Sequence, residues 1–282
     1  IFKDFDRLPQ PGEEVLADRF TMQLGGGPMV CPIVLEQLGC RVRLGTFLGQ
    51  STVSELCRQL LAQRGFSSYD VFKTDCPDPE VVTSVFSWAH DRGFLSHNQG
   101  VYESSLDPET VYSFLHDARV VFAPVGHPEV TRRLHRQGVK VVYDNGWSDD
   151  LSIDDIKAFL PDIDVYTPND TEAMKLAGTG DVEEAVRFLA RYTPRPVVTL
   201  GSRGCAYWED GDIRYAPAIE EFRAVDTTGA GDNFLSGVIY GLLQDRPLGE
   251  CVRLGNIIAG QSTTAMGCFG TAITPALIQK YL

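Results

Sequence analysis

Beyond about residue 105 the chain alternates short apolar, β-rich runs with stretches of helical spacing, and this rhythm restricts the fold more than any other feature. The runs cover residues 119–124, 139–144, 165–167 and 196–200. The helix-like stretches between them cover 128–137, 153–159, 171–177 and 182–192. Strands separated by helices of this size indicate βαβ units and a mostly parallel sheet. The right-handed crossover rule then places helices on both faces. Two stretches break the rhythm, residues 14–24 and 69–99; both are strand-like and poorly helical. They predict a small β-sheet standing off the main domain, where a lid would be, although two edge hairpins with no moving role would read the same way. The expected architecture is one α/β domain over residues 1–282, with lid segments at about 13–24 and 69–100.

A chain of 282 residues is long enough for such a domain and its core. The net charge of −13 argues against nucleic acid as a partner, since such proteins carry a basic footprint. The densest basic group, Arg132, Arg133, His135 and Arg136, lies on a helix-like stretch and reads as a solvated face. An acidic protein that handles phosphates must gather positive potential locally, from backbone N–H groups, helix N-termini or a metal ion. No apolar run approaches the ~18 residues of a membrane span, and the first residues lack the basic head and apolar stretch of a signal peptide. They read as though the chain starts partway into a structural unit. The seven cysteines are odd in number and none has C-x-x-C spacing, which predicts reduced thiols and a cytoplasmic protein.

The strongest local signal is Asp226-Thr227-Thr228-Gly229-Ala230-Gly231-Asp232-Asn233-Phe234. After it, apolar residues at 234, 235, 238, 239, 242 and 243 recur at helical spacing, so a buried helix follows the glycines. Gly237 and Gly241, one turn apart, would let another element approach closely. Small residues at a helix N-terminus expose consecutive N–H groups, and the helix dipole adds about half a positive charge. That is an anion hole, with a carboxylate, Asp232, beside it. Phosphoryl transfer needs this pairing: donors for the charge on the transferred group, and a base for the attacking hydroxyl. Taken alone, the same residues would also serve as an N-capping Asp on an ordinary helix after a glycine turn. Two neighbouring classes do not fit. A P-loop needs a Gly-Lys pair, which occurs nowhere in the chain, and a dinucleotide fingerprint needs glycine where Phe234 stands.

With these residues in view, the sequence resembles the ribokinase-like (PfkB) carbohydrate kinases. Residues 226–232 match the family's D-T-T-G-A-G-D signature. Gly25-Gly26-Gly27 through Leu38-Gly39 resembles its N-terminal glycine motif, and Leu8-Pro9 through Glu13 its approach to the lid. Gly45-Thr46-Phe47-Leu48-Gly49 resembles the next turn. Asn169 and Glu172 resemble its N-x-x-E motif, and residues 199–204 the strand-turn that meets the nucleotide. The matches span essentially the whole chain in order. The resemblance implies a ribokinase-like fold and transfer of a phosphoryl group from ATP to a hydroxyl of a sugar or sugar-derived molecule. Asp232 would be the base, and Gly229, Ala230 and Gly231 the anion hole. Thr199, Gly201, Gly204, Thr228 and Asn256 would line the ATP site. Gly25, Gly26, Gly27 and Asp232 would meet the acceptor. Asn169 and Glu172 would hold Mg²⁺ through water, and Asp226 and Thr228 match positions that hold a monovalent cation, K⁺, in some members. A homodimer through the lid is a further implication.

Three departures fall on the acceptor side. Val30 stands where the family usually has an asparagine that meets the sugar, and Gln50-Ser51 replace an acid after Gly49. The family's first strand and its substrate-binding aspartate are expected just before Ile1. Arg92, His97 and Asn98 in the lid segment could meet hydroxyls or an anionic group. Two alternatives therefore stand beside the sugar kinase: a nucleoside kinase on the same scaffold, and a sugar-binding protein without catalysis.

Overall fold

The first two helices show how the local sequence sets element boundaries. Helix α1 (Gly27–Gln37) starts directly after the glycine run, with Gly26 at a left-handed φ of 86°. Helix α2 (Thr52–Gln63) starts at Ser51, whose hydroxyl accepts the Ser54 N–H, one of the donors a first turn leaves unpaired. In this computed structural model, residues 1–66, 68–88, 91–146 and 148–282 are described, apart from the side chains of Pro28, Asp91 and Arg92. The expectation for Arg92 falls outside them. The chain divides into two compact units, Ile1–Gly25 with Arg43–Tyr102, and Gly26–Val42 with Glu103–Leu282.

In the first unit, β1 (Phe2–Lys3), β2 (Arg19–Phe20), β3 (Gly45–Thr46), β4 (Asp70–Val71), β5 (Val82–Trp88) and β6 (Asp91–His97) form two sheets. The larger has the order β2-β1-β5-β6, antiparallel except for the β1–β5 pair. Residues 14–24, expected to be broadly strand-like, give only the two residues of β2. Leu16 in that segment is 80% exposed. The acid missing after Gly49 is supplied through space. Buried Glu80 accepts the Ser51 hydroxyl at 3.0 Å and the Gly49 N–H at 3.4 Å through one oxygen.

The second unit carries the alternation read from the sequence. In chain order it contains α3 (Pro108–Leu115), β7 (Val120–Phe122), α4 (Pro128–Arg136), β8 (Lys140–Tyr143), α5 (Ile153–Ile156), β9 (Val165–Tyr166), α6 (Asp170–Ala177), α7 (Val182–Leu189) and β10 (Val197–Thr199). Then follow β11 (Cys205–Glu209), β12 (Asp212–Ala216), α8 (Ala230–Leu243), α9 (Leu248–Ser262) and α10 (Pro275–Tyr281). Strands β7, β8 and β9 pair in parallel, and the parallel bridges Tyr166–Pro196 and Asn169–Thr199 carry the sheet on to β10. Strands β11 and β12 extend it as an antiparallel hairpin that the sequence reading did not anticipate. Its turn is Asp210-Gly211, both at positive φ (54° and 84°), a hairpin signal in its own right.

Both faces of this sheet are covered, as the side-chain alternation of a strand requires. Val141 and Val198 face one buried cluster, with Val130, Leu134, Leu160 and Leu189. Their neighbours Val142 and Val197 face the other, with Phe234, Leu235, Val238, Leu242 and Val252. The second cluster includes the α8–α9 pair, whose glycines permit the close approach predicted for them. A Cβ on Gly237 would lie 2.5 Å from the Gly255 nitrogen, and one on Gly241 would lie 2.7 Å from Cys251 Sγ. The basic residues of α4 are solvated and partly paired: Arg133 meets Glu109 at 2.7 Å and Arg132 meets Asp162 at 3.2 Å. Among the described residues, no helix is long and apolar enough to cross a membrane.

Candidate active site

The C-terminal ends of the parallel strands in the second unit carry its polar groups, the end of an α/β sheet where ligands bind. Asp144 directly follows strand β8. Strand β9 leads into Asn169 and Glu172, β10 ends at Thr199, and the 226–229 turn leads into α8 with Asp232 in its first turn.

Asp232 lies where two helix N-termini meet. Gly229 opens α8 in the left-handed conformation, φ 72°. A Cβ added to Gly27, the first residue of α1, would collide with Asp232 Oδ1, so only glycine lets α1 approach this carboxylate. Burial pushes the Asp232 carboxyl up from its ordinary 3.8 to about 6, opposed by its own backbone N–H. That keeps the group mostly ionised at neutral pH and close to the pKa that suits a general base.

The glycine turn is braced from several sides. Asp226 Oδ1 accepts the Thr228 N–H (2.9 Å) and hydroxyl (2.7 Å), and its Oδ2 accepts the Gly267 N–H at 2.8 Å. Of the three residues expected to form the anion hole, Ala230 spends its N–H on the Thr227 carbonyl at 3.2 Å. That bond removes Ala230 from the set of free donors. Among the described residues, the Gly229 and Gly231 N–H groups make no hydrogen bond, and they are the donors left for an anion.

Asn169 and Glu172 form a reciprocal capping box on α6. The Asn169 side chain accepts the Glu172 N–H, and Glu172 Oε2 accepts the Asn169 N–H, each at 2.9 Å. Both residues thus have a structural task, which leaves Glu172 Oε1 outside the box. Burial raises the Glu172 carboxyl. Asp144 was not singled out in the sequence. It accepts the Gly146 N–H at 3.0 Å, and its carboxyl is pushed up to about 7, first by burial and then by the charges of Glu172 and Asp232. Those charges bring Asp144, Glu172 and Asp232 into one electrostatic neighbourhood. The readable signal was a carboxylate directly after the run Val141-Val142-Tyr143, at the ligand-binding end of a strand.

Of the remaining expected nucleotide residues, Gly204 and Asn256 meet at the end of β12. A Cβ on Gly204 (φ 91°) would collide with the Ala216 carbonyl oxygen. Buried Asn256 donates to the carbonyls of Ala216 and Pro217 at 3.0 and 3.1 Å, so its amide anchors this segment. Gly201 (φ 59°) opens the short turn after β10. Gly25 belongs to the first unit, whereas Gly26 and Gly27 belong to the second. Val30 is a core residue, 1% exposed. Among the described residues the seven cysteines are free thiols; burial raises Cys31 and Cys205 to about 12, which holds both as neutral thiols.

Residues 124–274, slightly over half of the chain, match the model of the pfkB family carbohydrate kinases. The chain belongs to this family. It is an ATP-dependent carbohydrate kinase, a member of a group whose relatives act on sugars and nucleosides. The kinase is 25% identical to the ribokinase of Haemophilus influenzae over 278 residues, covering 92% of this chain and 87% of that protein. It is 38% identical to the cytidine kinase of Thermococcus kodakarensis over 103 residues, 36% of this chain and 37% of that one. Its fold matches Arabidopsis thaliana ribokinase, solved with ribose and ATP, at a TM-score of 0.81 and 20% identity over 99% of this chain and 94% of that one.

Proposed function

We propose that the kinase transfers the γ-phosphoryl group of ATP to a hydroxyl of a sugar or sugar-derived alcohol, with Asp232 as the base. The observation that carries this reading is the half-buried Asp232 carboxylate between the N-termini of α1 and α8. The acceptor O–H gives its proton to Asp232, its oxygen attacks the γ-phosphorus, and the bond to ADP breaks. The Gly229 and Gly231 N–H groups face the charge carried by the transferred group, where fixed donors act without reorganisation. Gly26 and Gly27 are assigned to the acceptor side, and Gly25 with them from the sequence motif. Thr199, Gly201, Gly204, Thr228 and Asn256 are assigned to the ATP side.

Mg²⁺ fits the oxygen-rich donor set of Glu172 and Asp144. Among the described residues no group of three or more candidate ligands is close enough to hold a metal alone. When bound, Mg²⁺ would neutralise phosphate charge; Glu172 Oε1 would hold its waters, with Asn169 keeping Glu172 in place. K⁺ near Asp226 and Thr228 belongs to the same proposal, as do a lid role for segments 13–24 and 69–100, which would exclude water, and a homodimer through them. Exposed Phe20, Phe94 and Leu95 support the last.

A second reading, a nucleoside acceptor, is favoured by the local identity to the cytidine kinase. An ADP-release screen with MgATP across ketoses, aldoses, sugar acids, cyclitols and nucleosides tests both. A sugar or sugar derivative as best acceptor supports the first. Preference for cytidine, adenosine or inosine supports the second, and ligand-induced stabilisation without ADP release would leave only a binding protein.

A further inference from the structure

Asn233, the residue after Asp232, is 1% exposed, and its side chain has an unusual balance sheet of hydrogen bonds. One nitrogen, Nδ2, donates to two carbonyls on different chain segments: Gly229 at 2.9 Å and Cys268 at 3.2 Å. The other atom of the amide, Oδ1, is buried and has no hydrogen-bond partner among the described residues. An orphaned buried acceptor costs about 1–3 kcal/mol. A serine or an aliphatic residue would avoid that cost. Among uncharged side chains, only a primary amide offers two N–H groups from one atom to two separate carbonyls.

The Gly229 carbonyl belongs to the peptide unit that opens α8. Its oxygen also accepts the Asn233 backbone N–H at 2.9 Å, while the N–H of the same unit, on Ala230, donates to Thr227. This peptide plane is therefore held at both ends. The second segment lies directly against it. A Cβ on Gly229 would sit 2.5 Å from Cys268 Cβ, and Gly267 is tied to Asp226.

We infer that Asn233 is a positioning residue for phosphoryl transfer. It staples the turn at 226–229 to the loop at 263–268, and so fixes the direction in which the Gly229 and Gly231 N–H groups point. This rests on the reading of those groups as the anion site. It adds that their aim depends on the second loop, which touches the turn through Cys268. Asn233→Ala removes both side-chain bonds and leaves the Gly229 carbonyl only the backbone N–H of residue 233, while Asn233→Ser keeps one donor. Leu242→Ala, a core change on the far half of the same helix, supplies a destabilised control away from the site.

Two measurements on the full chain test the staple: hydrogen exchange by peptide, and ADP release with MgATP and D-ribose as the probe. In Asn233→Ala, exchange over residues 226–232 and 263–270 is expected to rise together by about tenfold relative to Leu242→Ala. Turnover should drop by roughly 10²-fold with the ATP KM changed by less than about threefold, and Asn233→Ser should recover part of it. Unchanged exchange in these two segments, or turnover equal to that of Leu242→Ala, overturns the inference. Hydrogen exchange decides alone if ribose is not turned over, and Asn233→Ser takes its place if the alanine variant does not fold. Loss of turnover in Asp232→Asn with normal behaviour in Asn233→Ala would sink the staple alone. Normal turnover in Asp232→Asn would instead sink the base on which the proposed function rests.

Discussion

Asp232→Asn keeps the shape of the side chain and removes its charge, and it is expected to stabilise the protein while removing most of its turnover. The folded protein holds the Asp232 proton more tightly than the unfolded chain does, because burial raises the carboxyl from 3.8 to about 6. At about 1.4 kcal/mol per pH unit, the ionised native form carries a penalty of about 3 kcal/mol. Below about pH 4 both states are protonated and the penalty is absent. As pH rises toward 6 the unfolded chain ionises first, so native stability falls, and above 6 the penalty stays constant. The asparagine variant does not titrate. It should therefore gain up to about 3 kcal/mol near pH 7.5 and almost nothing near pH 4, while losing about 10²–10⁴ in turnover with its base. Urea unfolding at both pH values, with ADP release near neutral pH, measures all three quantities. A variant no more stable than the parent near pH 7.5, or a difference that does not shrink on acidification, would refute an uncompensated buried carboxylate.

Three further outcomes follow from the same geometry. The pH profile of kcat/KM should fall on the acid side between about 7 and 6, where Asp144 and Asp232 take up protons, and a profile flat to pH 5 would contradict the assignment. Gly27→Ala drives a methyl group into Asp232 Oδ1 and should cut turnover roughly 10²-fold by displacing the base; unchanged kcat would show that the contact has no bearing on catalysis. Gly237→Ala sets a Cβ 2.5 Å from the Gly255 backbone, which cannot rotate away, and should cost about 1–3 kcal/mol in urea unfolding. An unshifted midpoint would mean that α8 and α9 separate freely.

What could be read in the sequence was local or periodic. Runs such as Val139–Tyr143 between helical stretches announced the parallel strands, because one strand and one helix each bury a face whose period shows in the chain. Residues 226–232 announced a helix N-terminus with an acid in its first turn, since that geometry is written within a few consecutive residues. The β11–β12 hairpin is equally local, marked by Asp210-Gly211 at its turn. Other features depend on groups far apart in the chain. Glu80 takes up the hydrogen bonds beside Gly49 from 31 residues away, and the Asp144 carboxyl is raised partly by the charges of Glu172 and Asp232, which lie 28 or more positions along the chain.

The sequence by itself determined the order of the elements, the helix that follows the glycine turn, and the family to which the kinase belongs. The tertiary structure alone decided that α1 brings Gly27 against Asp232, that Ala230 spends its N–H on Thr227 while Gly229 and Gly231 keep theirs, and that Asn233 ties Gly229 to Cys268. The division has one physical cause: propensity and periodicity act between near neighbours, whereas desolvation and hydrogen bonding between distant segments exist only once the chain has closed around them.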